Sequence, residues 1–278
     1  MSDGVFRIAV AAPGSRIEPD LADRLTALTA EAHGDRVQIH VHPQCFLSHG
    51  HFAGDDATRA TAFVEMANDP ALDALWFARG GYGSCRLIEA ILPRLAPAAR
   101  DKTYLGYSDA GSLLSALRGL GFEHLAHGPM PIDLSREGGG TAVLRALAWL
   151  VDRAPETLEP SLQPGIMAAA FNLTILSQLI GTPYQPDLTG HVLMLEEVSE
   201  HLYAIDRHFF HLTSTPALRQ VAGIRLGRCS AIPPNTPPFG QTEEEIARAW
   251  CERSGIPYLG RADIGHDAEN KIVPFGMV

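Results

Sequence analysis

Apolar residues recur along the first 130 positions in two alternating rhythms. The short runs "FRIAVAAP" (6–13), "VQIHVHP" (37–43), "LDALWFARG" (72–80) and "TYLGYS" (103–108) read as buried strands. Between them, "PDLADRLTALTAEA" (19–32), "DDATRATAFVEMAND" (55–69), "SCRLIEAILPRL" (84–95) and "AGSLLSALRGLG" (110–121) carry apolar residues at helical spacing. Strands separated by helices of that length imply right-handed crossovers and a mainly parallel sheet. Ligands of such sheets bind outside the carboxyl ends of the strands. The turn Gly80–Gly83 and Ser108 both fall at such ends.

The pattern changes after residue 138. A helix is expected over 141–153, then the Pro-rich "RAPETLEPSLQPG" (153–165) loses apolar periodicity, as an interdomain linker would. Beyond it come a helix near 172–180, a strand at 190–197, a helix near 202–212 and a strand at 221–227. A further helix has Thr242 and Glu245 spaced as a capping box and stops at Gly255. The expected architecture is α/β: an N-terminal mainly parallel sheet with flanking helices (1–152), a linker (153–165) and a smaller C-terminal α+β domain (166–278).

Composition narrows the function classes. At 278 residues, with 46% hydrophobic and 19% charged positions, the chain can bury a core without disulfide staples. A net charge of −10 lacks the concentrated basic face that nucleic acid or an anionic membrane requires. Cys45, Cys85, Cys229 and Cys251 form no CxxC pair and read as reduced thiols. The start carries no basic leader, and no apolar run approaches the roughly 18 residues of a membrane span, so a cytoplasmic location is expected.

Three stretches could carry chemistry. In "GYSDA" (106–110), small residues stand two before and two after Ser108, as in the elbow that turns a strand sharply into a helix and exposes a nucleophile. The alternative is that Ser108 or Asp109 caps the following helix. "ARGGYGSCR" (78–86) could aim backbone N–H groups at an oxyanion or cradle a phosphate, or be a plain tight turn; it lacks the Lys-Ser/Thr of a P-loop. His266 in "ADIGHDAEN" (262–270) sits in a polar loop after a strand, suited to a general base or simply solvated. "HVLMLEE" ends in Glu196 and Glu197, and strand alternation lets one of them face a cleft. His40, His42, His49, His51 and Cys45 suggest a metal set that no carboxylate pattern completes, so no metal or other cofactor is expected.

The ordered set "GDDATRA" (54–60), "ARGGYGSCRLIEAI" (78–91), "LGYSDAGSLL" (105–114), "HGPM" (127–130), "NLTILSQLIGTP" (172–183), "VLMLEEVSEHLYAIDR" (192–207) and "IGHDAENKIVPFG" (264–276) resembles the LD-carboxypeptidase family of serine peptidases, which includes microcin C immunity peptidases. The resemblance implies a Ser108–Glu196–His266 triad on a two-domain scaffold, with oxyanion donors at the Gly81 and Asp109 backbone N–H groups. It also implies homodimers and a small peptide substrate, the cytoplasmic muropeptide tetrapeptide, cut before its terminal D-Ala. The chain departs from the family at Phe171, where a glycine is usual. A terminal carboxylate needs a cation, and Arg79 and Arg86, flanking the glycine turn, are the candidates. Other readings are the same chemistry on a peptide nucleotide, a phosphotransferase using the Gly-rich turn, and a non-catalytic ligand-binding protein.

Overall fold

A computed structural model describes residues 4–277. The first half alternates strands and helices: β1 (Phe6–Ala11), α1 (Pro19–His33), β2 (Val37–Val41), α2 (Asp56–Asn68), β3 (Ala74–Phe77), α3 (Ile88–Ile91), β4 (Thr103–Gly106), α4 (Gly111–Gly119), β5 (Leu125–His127) and α5 (Gly139–Asp152). The second half comprises β6 (Met167–Asn172), α6 (Leu173–Leu179), β7 (Val192–Val198), α7 (Leu202–Ser214), β8 (Gly223–Ser230), α8 (Glu243–Ser254), β9 (Tyr258–Arg261), β10 (Val273–Pro274) and β11 (Gly276–Met277).

β1 to β5 form a parallel sheet in the order β5-β4-β3-β1-β2, and β6 to β9 form a second parallel set in chain order. The fold is therefore mixed α/β, a mostly parallel six-stranded sheet flanked by helices beside a five-stranded one. The last strands close both. β10 adds antiparallel to β5 on the first sheet, and two residues later β11 adds antiparallel to β6 on the second. Leu158, within the Pro-rich 153–165 segment, bridges to Ile272 just before β10. The two units are thus joined along the chain and again through the C-terminal strand.

Among the elements that differ from the sequence expectation, two do so for clear reasons. The helix expected over 84–95 is broken into 3₁₀ turns (Ser84–Leu87 and Leu92–Arg94) around the single turn of α3, and Pro93 has no N–H to continue it. β6 lies in "MAAAFN", where three alanines carry little strand signal. The capping box of α8 forms as expected: Thr242 N–H donates to Glu245 Oε2 at 2.7 Å, and Gly255 ends the helix at φ +73°.

One apolar core runs through both units. Tyr107, Leu113 and Leu114 from the first meet Phe171, Leu173 and Leu176 from the second in one buried cluster. Phe171 is buried and packs against Phe275, with ring centroids 5.0 Å apart and the planes tilted by 51°. Its bulk fits because Gly111, at the start of α4, leaves the space: a Cβ there would lie 3.3 Å from the Phe171 ring. Ile272 fills the gap over Gly128 and is wholly buried. Ile272→Ala should cost about 2–5 kcal/mol, the range for deleting a large aliphatic side chain from a core; urea unfolding checks this. Because Ile272 anchors the chain just after the 262–270 loop, the same variant should lose activity before it loses its fold.

Candidate active site

β4 ends at Gly106, Tyr107 is extended, and Ser108 takes φ +60° as the first residue of the 3₁₀ turn that leads into α4. A non-glycine residue at positive φ costs about 1–3 kcal/mol and persists only where its surroundings enforce it. They do so here, because Tyr107 and Asp109 on either side are buried. The N-cap position of α4 falls on Ala110, which has no side-chain capping hydrogen bond, so neither Ser108 nor Asp109 occupies it. Asp109 turns its carboxylate away from α4: Oδ2 accepts the Ser84 N–H at 2.9 Å, and its main-chain carbonyl accepts the Ser84 hydroxyl at 2.5 Å. Burial pushes the Asp109 carboxyl pKa up, partly offset by the Ser84 bonds. The nucleophile-like turn and the Gly-rich turn are thereby locked together.

The Gly-rich turn approaches Ser108 closely. A Cβ on Gly80 would lie 3.0 Å from Ser108 Oγ, so only glycine fits without narrowing the cleft. Gly81 has φ +94°. The Gly80 carbonyl accepts the Ser15 N–H at 3.3 Å. In a planar trans peptide the C=O and the following N–H point in opposite directions, so the Gly81 N–H is turned away from Ser15. The buried Arg59 guanidinium donates to the carbonyls of Gly83, at 3.1 Å, and Pro13, clamping the turn from behind.

From the second unit come a histidine and a carboxylate. Glu196 leaves the carboxyl end of β7, and its Oε2 lies 2.5 Å from His266 Nδ1, with both side chains buried. A carboxylate can only accept, so the proton sits on Nδ1 and Nε2 is left as the acceptor. Burial raises the Glu196 pKa, partly offset by His266. Burial pushes His266 down, but the charge and hydrogen bond of Glu196 outweigh it and leave the imidazole raised. The neighbouring Glu197 faces the other way. Its carboxylate accepts from Asn172 Nδ2, the Val198 N–H, and the Thr174 N–H and hydroxyl, capping α6.

Ser108 and His266 line the same cavity of about 300 Å³, together with Gly80, Gly81 and Arg79. Arg86, the other arginine expected near the cleft, is not among the residues lining this cavity. Its guanidinium forks onto Asp56, with Nε 2.9 Å and Nη2 2.7 Å from Oδ2, because α2 presents that carboxylate directly opposite. The histidines of the 40–51 region do not converge. His42 Nδ1 accepts the Gln44 N–H, His51 Nε2 meets Ser15 Oγ at 3.3 Å, and Cys45 is buried. Among the described residues no group of three or more His, Cys, Asp or Glu side chains could hold a metal.

Four residues escaped the sequence reading. Asp133 is fully buried and accepts from the Tyr107 hydroxyl and Arg136 Nε, both at 2.8 Å. Arg136 also donates to the His266 main-chain carbonyl and lines the cavity. Asn270 Oδ1 accepts the Gly265 N–H and lies 3.2 Å from Nε2 of His127, whose pKa burial lowers to about 3. Tyr107 and Asn270 were visible in "GYSD" and "GHDAEN"; Asp133 and Arg136 carried only an unremarkable i, i+3 spacing.

Comparison with known proteins makes the chain a peptidase. Residues 8–128 match the LD-carboxypeptidase N-terminal domain and residues 168–278 the LD-carboxypeptidase C-terminal domain, so the chain belongs to the LD-carboxypeptidase family. It is 35% identical over 233 residues to a putative carboxypeptidase of Synechocystis, covering 82% of this chain and 75% of that one. It is 27% identical over 290 residues to the murein tetrapeptide carboxypeptidase of Pseudomonas aeruginosa, covering 97% and 91%. Two solved structures share the fold. The muramoyltetrapeptide carboxypeptidase of Oxalobacter formigenes has a TM-score of 0.79 at 24% identity, covering 96% of this chain and 93% of that one. MccF in complex with glutamyl sulfamoyl guanosine has a TM-score of 0.80 at 16% identity, covering 99% and 92%.

Proposed function

We propose that this carboxypeptidase works by serine catalysis, hydrolysing the L,D-peptide bond that releases terminal D-Ala from muropeptide tetrapeptides. The observation that carries the reading is the 2.5 Å contact of Glu196 with His266, which lines the same cavity as Ser108 on its turn at φ +60°. His266 Nε2 takes the proton from Ser108 Oγ as that oxygen attacks the carbonyl, while Glu196 holds the tautomer and stabilises the imidazolium. The Gly81 and Asp109 backbone N–H groups receive the oxyanion, each worth about 10²–10³ in kcat. His266 then protonates the leaving amine, and water hydrolyses the acyl-enzyme. We assign residues 1–152 as the unit bearing the nucleophile and 166–278 as the unit bearing glutamate and histidine.

Muropeptide is favoured over peptide nucleotide by the murein tetrapeptide carboxypeptidase relative, which matches almost the whole chain. A cytoplasmic location and a homodimer complete the proposal. Among the described residues no helix is long and apolar enough to cross a membrane. The substrate test compares kcat/KM for L-Ala-γ-D-Glu-meso-Dap-D-Ala with that for a peptidyl nucleotide. The expected preference is for the tetrapeptide; a preference for the nucleotide would overturn the substrate assignment.

The pH profile follows from the raised His266 pKa. A base must be neutral to act, so activity is lost as pH falls through its pKa. Since Glu196 raises that pKa in the folded protein, the acid limb of kcat/KM should lie above the ordinary histidine value of about 6.5. An acid limb below that value would contradict the paired geometry.

A further inference from the structure

We propose that Arg136 receives the terminal carboxylate of the substrate. The inference rests on the carboxypeptidase reading above and adds the residue that makes the cleft selective for a chain end. A carboxylate entering a closed cleft loses its water and must find a charged donor there. The cavity wall supplies cations and no anions: its permanently charged members are Arg79 and Arg136, with no Asp or Glu among them.

The two arginines are held differently. Arg79 is exposed, and its Nη1 donates to the Arg16 carbonyl at 3.2 Å. Arg136 is fixed at each of its three nitrogens. Nε donates to Asp133 at 2.8 Å, Nη1 to the His266 main-chain carbonyl, and Nη2 lies 3.4 Å from the Tyr107 hydroxyl. Asp133 is itself held, accepting the Met130 N–H at 2.8 Å and the Tyr107 hydroxyl. A guanidinium has five N–H donors, so this anchoring leaves two free while removing the entropy of orienting the side chain. Its side chain keeps 39% of its surface exposed.

The anchor points also place the cation. One is the carbonyl of the proposed base, and another is the side chain immediately before the proposed nucleophile. Arg136 therefore keeps its register with both halves of the reacting centre, although they come from different units. A cation so placed measures the distance from the scissile carbonyl to the end of the substrate.

The test separates carboxylate recognition from simple support of the His266 loop. kcat/KM is measured for the tetrapeptide ending in D-Ala and for its D-alaninamide counterpart, with wild type, Arg136→Ala, Arg136→Lys and Arg79→Ala. Wild type should prefer the acid by about 10- to 100-fold, the range for a charge-assisted hydrogen bond. Arg136→Ala should bring the ratio close to one, chiefly through KM on the acid; Arg136→Lys should retain part of it, and Arg79→Ala all of it. Should Arg136→Ala fail to fold, Arg136→Lys still decides, because it keeps the charge while losing the planar fork. Equal losses on acid and amide would overturn the proposal, reducing Arg136 to a support of the loop. So would a flattened ratio in Arg79→Ala, or a wild type indifferent to amidation. A wild type inactive on both substrates would instead remove the tetrapeptide reading, and this assignment with it.

Discussion

Replacing Ser108 by alanine lowers kcat for D-Ala release by about 10⁴-fold or more, the scale of losing a triad nucleophile, while the protein stays folded. Ser108 lies two residues before the N-cap of α4, which is Ala110, so its hydroxyl should contribute little to stability. Replacement by glycine sharpens the prediction. Ser108 sits at φ +60°, where an L side chain is strained and glycine is not. Ser108→Gly should therefore be as inactive as the alanine variant, yet more stable than wild type by about 1 kcal/mol. Thermal unfolding of the three proteins reads this directly. A glycine variant that is less stable would mean that the hydroxyl holds the turn together and that the strain has no catalytic purpose.

Glu196→Gln should cost about 10³–10⁴ in kcat with little change in KM. The amide cannot stabilise the imidazolium, and when it presents its N–H it forces the proton onto Nε2, where His266 can no longer accept from Ser108. The adjacent position supplies the contrast. Glu197 accepts four hydrogen bonds from the start of α6 and the end of β7, whereas Glu196 pairs with His266. Glu197→Gln should thus cost about 1–3 kcal/mol of stability through unsatisfied buried partners, with kcat per folded molecule nearly retained. Assays paired with unfolding curves distinguish the two. If Glu197 proved the costlier carboxylate in kcat, the assignment of the acid would be wrong.

Much of this arrangement was legible in the chain. The strand-helix rhythm of residues 6–121 led to a parallel sheet, because period and length together separate the two elements. The elbow at Ser108, the glycine turn and the loop histidine were visible because each is a departure from that rhythm. Alternation along "LEEV" separates the two carboxylates: Glu196 meets His266, and Glu197 turns to the start of α6. What stayed hidden depends on contacts between distant segments. Arg86 lies beside the glycine turn in sequence, yet Asp56, thirty residues earlier, takes its guanidinium. Arg136 reaches the His266 carbonyl across 130 residues, which no local spacing announces. β10 and β11 are two residues each, too short for periodicity, although they join the sheets and set the position of the histidine loop. Phe171, standing where the family usually has a glycine, gave no local clue to how its ring is housed. The answer lay in Gly111, sixty residues away, which leaves the room its ring requires.

The measurement that tests the account most directly is the time course of free D-Ala released from L-Ala-γ-D-Glu-meso-Dap-D-Ala, followed by mass spectrometry in EDTA, for wild type and Ser108→Ala side by side. The account predicts steady multiple turnover by wild type and none detectable by the variant over the same interval. Equal release by the two proteins would contradict it, returning Ser108 to an ordinary residue in a tight turn.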